Sequence, residues 1–255
     1  MIVLTPFASL PMYDWPEIRQ HTDRFWRGLA MHAGFEGLLD RTTALAEVWR
    51  KPNMVFSQTC GYPFTHEFNG LLNYVATPHY EADGCAGADY CSFIFARKEA
   101  PLEHFRGQTA VINNEDSMSG MLALKAIFAP LANDENFFGK TIRSGGHLLS
   151  LRAVREGKAD VCATDAVCVA LAKKYRPQDL EGLVEVARSP LVPGLPYVTR
   201  GRDVEKWRIA LQKTFADPDL AATREALLLK SVSDIGAGAY KKILDLEAGL
   251  PPLHL

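Results

Sequence analysis

The sequence predicts an α/β protein of two lobes, one inserted into the other. Three observations carry that reading. Between Gly107 and Pro177, short β-rich runs alternate with helical runs, a βαβα order that implies a mostly parallel sheet with helices on both faces. The runs "LLNYVATPHY" and "YCSFIFAR" are aromatic and β-branched, as strands are. Charged or proline-rich extended chain near Arg97–Pro101 and Ser189–Pro196 marks two crossings between segments. Residues 98–191 then form an inserted α/β lobe, and 1–97 with 192–255 a discontinuous outer lobe. Two lobes joined by two extended strands make a hinge beside a cleft.

In chain order, Ile2 to Phe7 reads as a first strand, and Pro16 suits the first turn of a helix whose apolar side is Ile18, Phe25, Trp26 and Leu29. A second helix is expected through Thr43–Trp49. "NMVFSQTCGYP" reads as a buried strand ending in a turn, and "EADGCAGAD" as a loop. The strand "QTAVIN" runs into "NNEDSMSGMLALKAIFAP", a polar loop and a helix beginning near Gly120. "KTIRSGG" is a short strand and glycine turn. In the helix "HLLSLRAVREG", Leu148, Leu151 and Val154 share one face, and Gly157 suits the stop. The strand "ADVCATDA" and the helix "VCVALAKKYRP" follow, then the strand "LVEVARS" and the extended "PLVPGLPYVTR". Three tail helices are expected near Asp203–Phe215, Pro218–Lys230 and Gly238–Ala248.

Bulk properties exclude several function classes. The chain has 255 residues, 47% hydrophobic and 23% charged, with a formal net charge of −2. That balance provides no general attraction to nucleic acid or to an anionic membrane. No apolar run approaches the roughly 20 residues of a membrane span. "MIVLTPFASLPMYDWPE" shows neither the basic nor the apolar region of a signal peptide. The five cysteines (60, 85, 91, 162 and 168) make no CxxC pair, and no Cys/His cluster has metal-ligand spacing. Neither a metal nor a cofactor is expected. Buried free thiols are expected for most of the five cysteines, with a Cys85–Cys91 bridge across a loop as the alternative in an oxidising compartment.

Residues with chemical potential gather after strand ends. Ser117 or Ser119 suits the cap of the helix near Gly120, since serine is a preferred N-cap. Capping needs one hydroxyl and the stretch offers two. The adjacent glycine lets a ligand approach the backbone, and free N–H groups at a helix start favour an anion. His147 follows a second strand end and glycine turn, where it offers an oxyanion a ring N–H. Asp165 occupies a third such junction, as an N-cap or as a carboxylate for a ligand's ammonium or hydroxyl group. Gln58, Thr59, Cys60 and Tyr62 surround Gly61 past a further strand, and Tyr13 follows the first. Cys60 would be the nucleophile of a covalent enzyme, with His66 or His147 as base, but no spacing makes that pairing specific and "TCGYP" is not a nucleophile elbow. Together these loops are rich in donors and poor in acid–base pairs, which favours binding over catalysis.

The ordered set "FSQTCGYPF", "YCSFIFAR", "LEHFRGQTAVINNEDSMSGMLAL", "GGHLLSLRAVREGKADVCATDAV" and "SPLVPGLPYVTR" resembles the phosphonate/phosphite/phosphate substrate-binding proteins of ABC transporters. Its most specific part is the trio Ser-x-Ser-Gly, Gly-His-x-x-Ser-hydrophobic-x-Ala-Val and Gly-x-Ala-Asp-Val. The resemblance implies the two-lobed type II periplasmic-binding fold, with two mixed or parallel sheets flanked by helices and a hinge of two crossing strands. It implies that Ser117, the Met118 backbone, Ser119 and Gly120 hold phosphonate or phosphate oxygens, with His147 as a further donor. Asp165 would meet the rest of the ligand, and Tyr13, Gln58, Thr59 and Tyr62 would contribute from the opposite lobe. The implied partners are a small anionic ligand and the transporter's membrane subunits, for a monomer that neither binds nucleic acid nor inserts into membrane. The implied location is the periplasm, and a cytoplasmic ligand sensor is the alternative the N-terminus leaves open. A second alternative is an enzyme on this scaffold, of the thiamine-pyrimidine-synthesis kind or dependent on Cys60.

Overall fold

A computed structural model describes residues 5–132 and 135–255. The chain divides into two compact units, residues 1–81 with 193–239 and residues 82–192 with 240–255. The expected first crossing near 97–101 therefore falls at 81/82, and the last sixteen residues group with the second unit instead of the first.

The first unit opens with β1 (Phe7–Ser9), so the expected strand lies later, and residues 2–4 of it are outside the described residues. Helix α1 (Arg19–His32) buries Thr22, Phe25, Trp26, Leu29 and Ala30, an i, i+3, i+4 stripe. Helix α2 (Leu45–Val48) is a single turn, shorter than expected. Asp40 accounts for the difference: its carboxylate accepts the backbone N–H and the hydroxyl of both Thr42 and Thr43, holding them in a turn. The run continues with β2 (Met54–Gln58), α3 (Gly61–Thr65) and β3 (Asn73–Tyr80).

The second unit begins with β4 (Cys85–Ala86) and β5 (Asp89–Tyr90), a small antiparallel hairpin where a loop was expected. Then come β6 (Ser92–Ala96), β7 (Thr109–Ile112), α4 (Ala123–Phe128), β8 (Lys140–Arg143), α5 (His147–Arg155), β9 (Val161–Asp165), α6 (Ala166–Tyr175), β10 (Val184–Arg188) and β11 (Val192–Pro193). The chain returns to the first unit as β12 (Tyr197–Thr199), α7 (Val204–Ala216), α8 (Ala221–Ala226) and β13 (Leu229–Ser233). The last helix, α9 (Lys241–Ala248), counts with the second unit.

The first sheet has the order β1-β2-β12-β3-β13, with β1 and β2 parallel and β12 antiparallel to both its neighbours. Its strand β13 replaces the end of the second expected tail helix. Leu228 has φ +57, which no helix accommodates, and Leu229 to Ser233 pair antiparallel with Tyr80 to Thr77. Above this sheet Phe25, Trp26, Leu29, Phe56, Tyr197 and Trp207 pack together, with the Phe56 and Trp207 rings 4.8 Å apart.

The second sheet has the order β10-β6-β9-β7-β8. Its three central and edge strands β9, β7 and β8 are parallel, as the βαβα reading requires. β6 alone runs against its neighbours β9 and β10, so the sheet is mixed, with β10 pointing the same way as β9, β7 and β8. β6 is buried at all five positions and pairs with β9 and β10, which places it in this unit and not in the outer lobe to which residues 1–97 were assigned. A strand apolar on both faces needs neighbours and cover on both sides. Phe93, Val111, Leu151, Val154, Cys162 and Val169 form the core beneath it.

Candidate functional site

Strands β9, β7 and β8 are parallel neighbours, so their carboxyl ends and the loops that follow lie along one edge of the second sheet. Open α/β sheets place ligands there. The loops after β7 and β8 are tied together: Ser144 N–H donates to the Ile112 carbonyl (2.9 Å) and Gly145 N–H to the Asn113 carbonyl (2.9 Å). Gly145, at φ +88, makes the turn that brings His147 to the start of α5. Ser144 Oγ lies 2.7 Å from the fully buried Ser150 Oγ and fastens that turn to the helix.

Ser117 is the cap. Its backbone is extended, and its Oγ accepts the Gly120 N–H at 3.0 Å. The helix starts at Met118, two residues before the expected Gly120, with a wide π-helical turn over Met118–Leu122 that leads directly into α4. The Ser117 carbonyl accepts from both Met121 (3.2 Å) and Leu122 (3.0 Å), which is the signature of that turn. Such turns recur at functional sites because the inserted residue re-aims the backbone. A Cβ at 120 would stand 1.7 Å from Asn113 Oδ1, so any side chain there must displace the Asn113 amide.

Ser119 has the other role. Its Oγ lies 2.8 Å from His147 Nε2, joining the β7 and β8 loops through side chains. Burial pushes the His147 pKa down to about 4, so the ring is neutral at pH 7. The Ala163 backbone opposes that shift, although Nδ1 is buried with no hydrogen bond of good geometry. The site thus combines a helix start, two serines, and a neutral imidazole. It is able to bind an anion by donated hydrogen bonds without a fixed cation.

Asp165 is the N-cap of α6, the first of the two roles its position offers. It is 1% exposed, and its Oδ1 accepts the N–H groups of Val167 (2.7 Å) and Cys168 (3.0 Å) at the start of α6. Asp165→Ala is expected to lower stability by about 1–2 kcal/mol, the range for a lost N-cap, as read from urea midpoints. Asp165→Asn, which keeps an acceptor oxygen, should lose less.

The first-unit candidates divide in the same manner. Gln58 is 3% exposed, and its Nε2 donates to Tyr80 Oη (3.0 Å) and to the Leu195 carbonyl (3.0 Å). Thr59 is fully buried and its N–H donates to the Pro196 carbonyl. Both hold this unit together, and neither displays its polar group. Tyr13 and Tyr62 stay half-buried. Tyr13 adopts φ +62, unusual for an aromatic residue, and packs edge-on against Tyr80 at 5.4 Å. With Gln58 and Tyr80 it lines a cavity of about 30 Å³, room for one water molecule. Tyr80, the shared partner of Tyr13 and Gln58, went unnoticed in the sequence because its pattern reads only as strand. Cys60 precedes α3 as its cap residue, and all five cysteines are free thiols. His66, its proposed base, stacks on Tyr62 at 3.8 Å and donates Nδ1–H to the Tyr62 carbonyl, so its ring is engaged within its own helix.

Among the described residues no group of three or more His, Cys, Asp or Glu is arranged to hold a metal ion, and no helix is long and apolar enough to cross a membrane.

No curated protein matches the chain in sequence. Solved structures do match its fold. A binding-protein component of an ABC phosphonate transporter from Pseudomonas aeruginosa superposes with a TM-score of 0.76 at 17% identity, covering 95% of this chain and 85% of that one. A Prochlorococcus marinus protein in complex with methylphosphonate gives 0.74 at 14% identity, covering 96% and 97%. A Xanthomonas citri protein bound to ATP gives 0.69 at 15% identity, covering 96% of each chain. These likenesses identify the type II periplasmic-binding fold. The family model described as ABC transporter, phosphonate, periplasmic substrate-binding protein matches residues 52–242. With that match across most of its length, the chain belongs to the phosphonate-type periplasmic substrate-binding proteins of ABC transporters.

Proposed function

We propose that the chain captures a small oxyanion of the phosphonate, phosphite or phosphate class and delivers it to the membrane subunits of an ABC importer. The observation that carries this reading is the helix start at Ser117–Gly120 with Ser119 set 2.8 Å from a neutral His147. Neutral donors in a sheltered site make strong hydrogen bonds to an ionised oxygen. They also leave its size and protonation state to decide the fit. The methylphosphonate held by the Prochlorococcus marinus relative supports the ligand class. The family description supports periplasmic residence, and we expect the protein to act there as a monomer.

Isothermal titration with phosphate, phosphite, methylphosphonate, aminoethylphosphonate and sulfate tests the reading. Binding of at least one phosphorus oxyanion is expected. Absence of heat and of thermal shift with every one of them at millimolar concentration would end it. Asp165→Asn is expected to leave the ratio of methylphosphonate to aminoethylphosphonate affinity unchanged, because the side chain is buried and its Oδ1 already caps α6. A selective loss of the aminated ligand would restore Asp165 to the ligand.

We further propose that the protein binds its ligand without transforming it. Cys60→Ser should retain the wild-type affinity, measured in the same titration. Loss of function on alkylation of Cys60, absent in the Cys60→Ser variant, would instead favour the covalent reading.

A further inference from the structure

Asn113, the first residue after β7, holds a buried acceptor with no hydrogen-bond partner: its Oδ1 is sealed from solvent and unpaired. An unpaired buried acceptor is uncommon and costs free energy, so its position asks for a reason. Its surroundings give one. The Asn113 carbonyl is fixed by the Gly145 N–H, which anchors the residue between the β7 and β8 loops. The amide then lies against the bare Cα of Gly120, so close that a Cβ there would stand 1.7 Å from Oδ1 and 2.7 Å from Cγ. Ser117 Oγ lies 3.3 Å from the same point, so the Asn113 amide and the capping hydroxyl flank one residue of the helix start. Asn113 as a whole is half-buried, and Oδ1 is its sealed amide atom.

We propose that Asn113 is a ligand-contacting residue that sets the preference for an oxyanion, with Nδ2 donating to the ligand oxygen held at Ser119. This rests on the function proposed above. The sealed Oδ1 faces the Gly120 Cα, which leaves Nδ2 as the amide atom for a ligand. Gly120 is glycine in order to admit the amide, so the two residues act as one element of the site. Asn113 carries no charge itself. Glu115 and Asp116 on its own loop, Arg143 at the end of β8, His147 at the start of α5 and Asp165 at the end of β9 are the titratable and charged groups on the elements around it.

Four variants test the assignment by titration with methylphosphonate, phosphite and inorganic phosphate: Asn113→Asp, Asn113→Ala, Gly120→Ala and the double Asn113→Ala/Gly120→Ala. At pH 7, Asn113→Asp should weaken binding about tenfold or more, since a charge that repels the ligand replaces a donor. The ratio of mutant to wild-type affinity should recover between pH 6 and about 4, where the new carboxyl protonates and regains an O–H donor. Comparing the two proteins at each pH cancels the titration of the ligand and of the surrounding groups. A merely structural Asn113 would shift thermal stability and leave that ratio flat. Gly120→Ala should cost binding alone, and the double variant should recover part of the loss because the clash is gone. Wild-type affinity in Asn113→Asp, a ratio flat with pH, or strictly additive effects of the two alanine changes would each overturn the proposal. If the wild-type protein binds none of the three anions, the function proposed above fails and takes this assignment with it. If it binds and Asn113→Asp binds equally, only the role of Asn113 falls.

Discussion

Ser119→Ala is expected to weaken binding of the cognate oxyanion by about ten- to a hundredfold at pH 7, the equivalent of one hydrogen bond to a charged acceptor at about 1.5–3 kcal/mol. Ser119 Oγ stands 2.8 Å from His147 Nε2. In the tautomer that donates Nε2–H to Oγ, the serine proton is left for the ligand and the ring fixes the hydroxyl in place; in the other tautomer Oγ donates to Nε2. Alanine removes the donor and leaves Nε2 without its partner in the same step. Ser119→Thr restores the hydroxyl and should recover most of the affinity. Ser117→Ala should behave differently, costing stability of about 1 kcal/mol through the lost cap, with a smaller effect on the ligand. Titration calorimetry beside urea unfolding separates the two serines. Equal affinity in Ser119→Ala and the wild type would remove Ser119 from the site.

The second large effect is acid sensitivity centred on His147. Its pKa is about 6.5 in the unfolded chain and, through burial, about 4 in the folded one. Above pH 6.5 the ring is neutral in both states and its contribution to stability is complete. As pH falls from 6.5 to 4 the unfolded chain takes up a proton that the native ring refuses, so native stability drops. Below about 4 both states are protonated and the loss levels off. The full shift corresponds to about 3 kcal/mol at most. His147→Gln should therefore lose about 2 kcal/mol less than the wild type between pH 7 and 4.5, read from urea midpoints. An identical pH profile for the two proteins would show that His147 is not buried neutral. In that neutral state His147 adds no charge to the site at pH 7 and acts there as an oriented hydrogen-bonding group.

Much of the second unit was legible because its signals are local. A serine before a helix, a glycine turn before His147 and apolar spacing at Leu148, Leu151 and Val154 each concern residues within a few positions of one another. The helix actually buries Leu151 and Val154 completely and leaves Leu148 half-buried. What escaped was settled by distant partners. The run at Leu229–Ser233 has enough polar residues to extend a helix, and only pairing with β3 makes it a strand. Cys85–Asp89 reads as loop until the hairpin register forms. Gln58 looks like a ligand residue until Tyr80 and Leu195 claim both its donors.

The sequence by itself determined that the chain alternates strands and helices, and that hydroxyls, glycines and a histidine follow successive strand ends. Those are consequences of backbone propensity, capping chemistry and the period of the apolar residues. Tertiary structure alone decided the division of labour. It gave the cap to Ser117 and the histidine to Ser119, closed the carboxylate of Asp165 on the start of α6, and set the Asn113 amide against Gly120. Each choice depends on which strand ends lie side by side, and β9-β7-β8 adjacency is a property of the sheet that no short stretch of sequence contains.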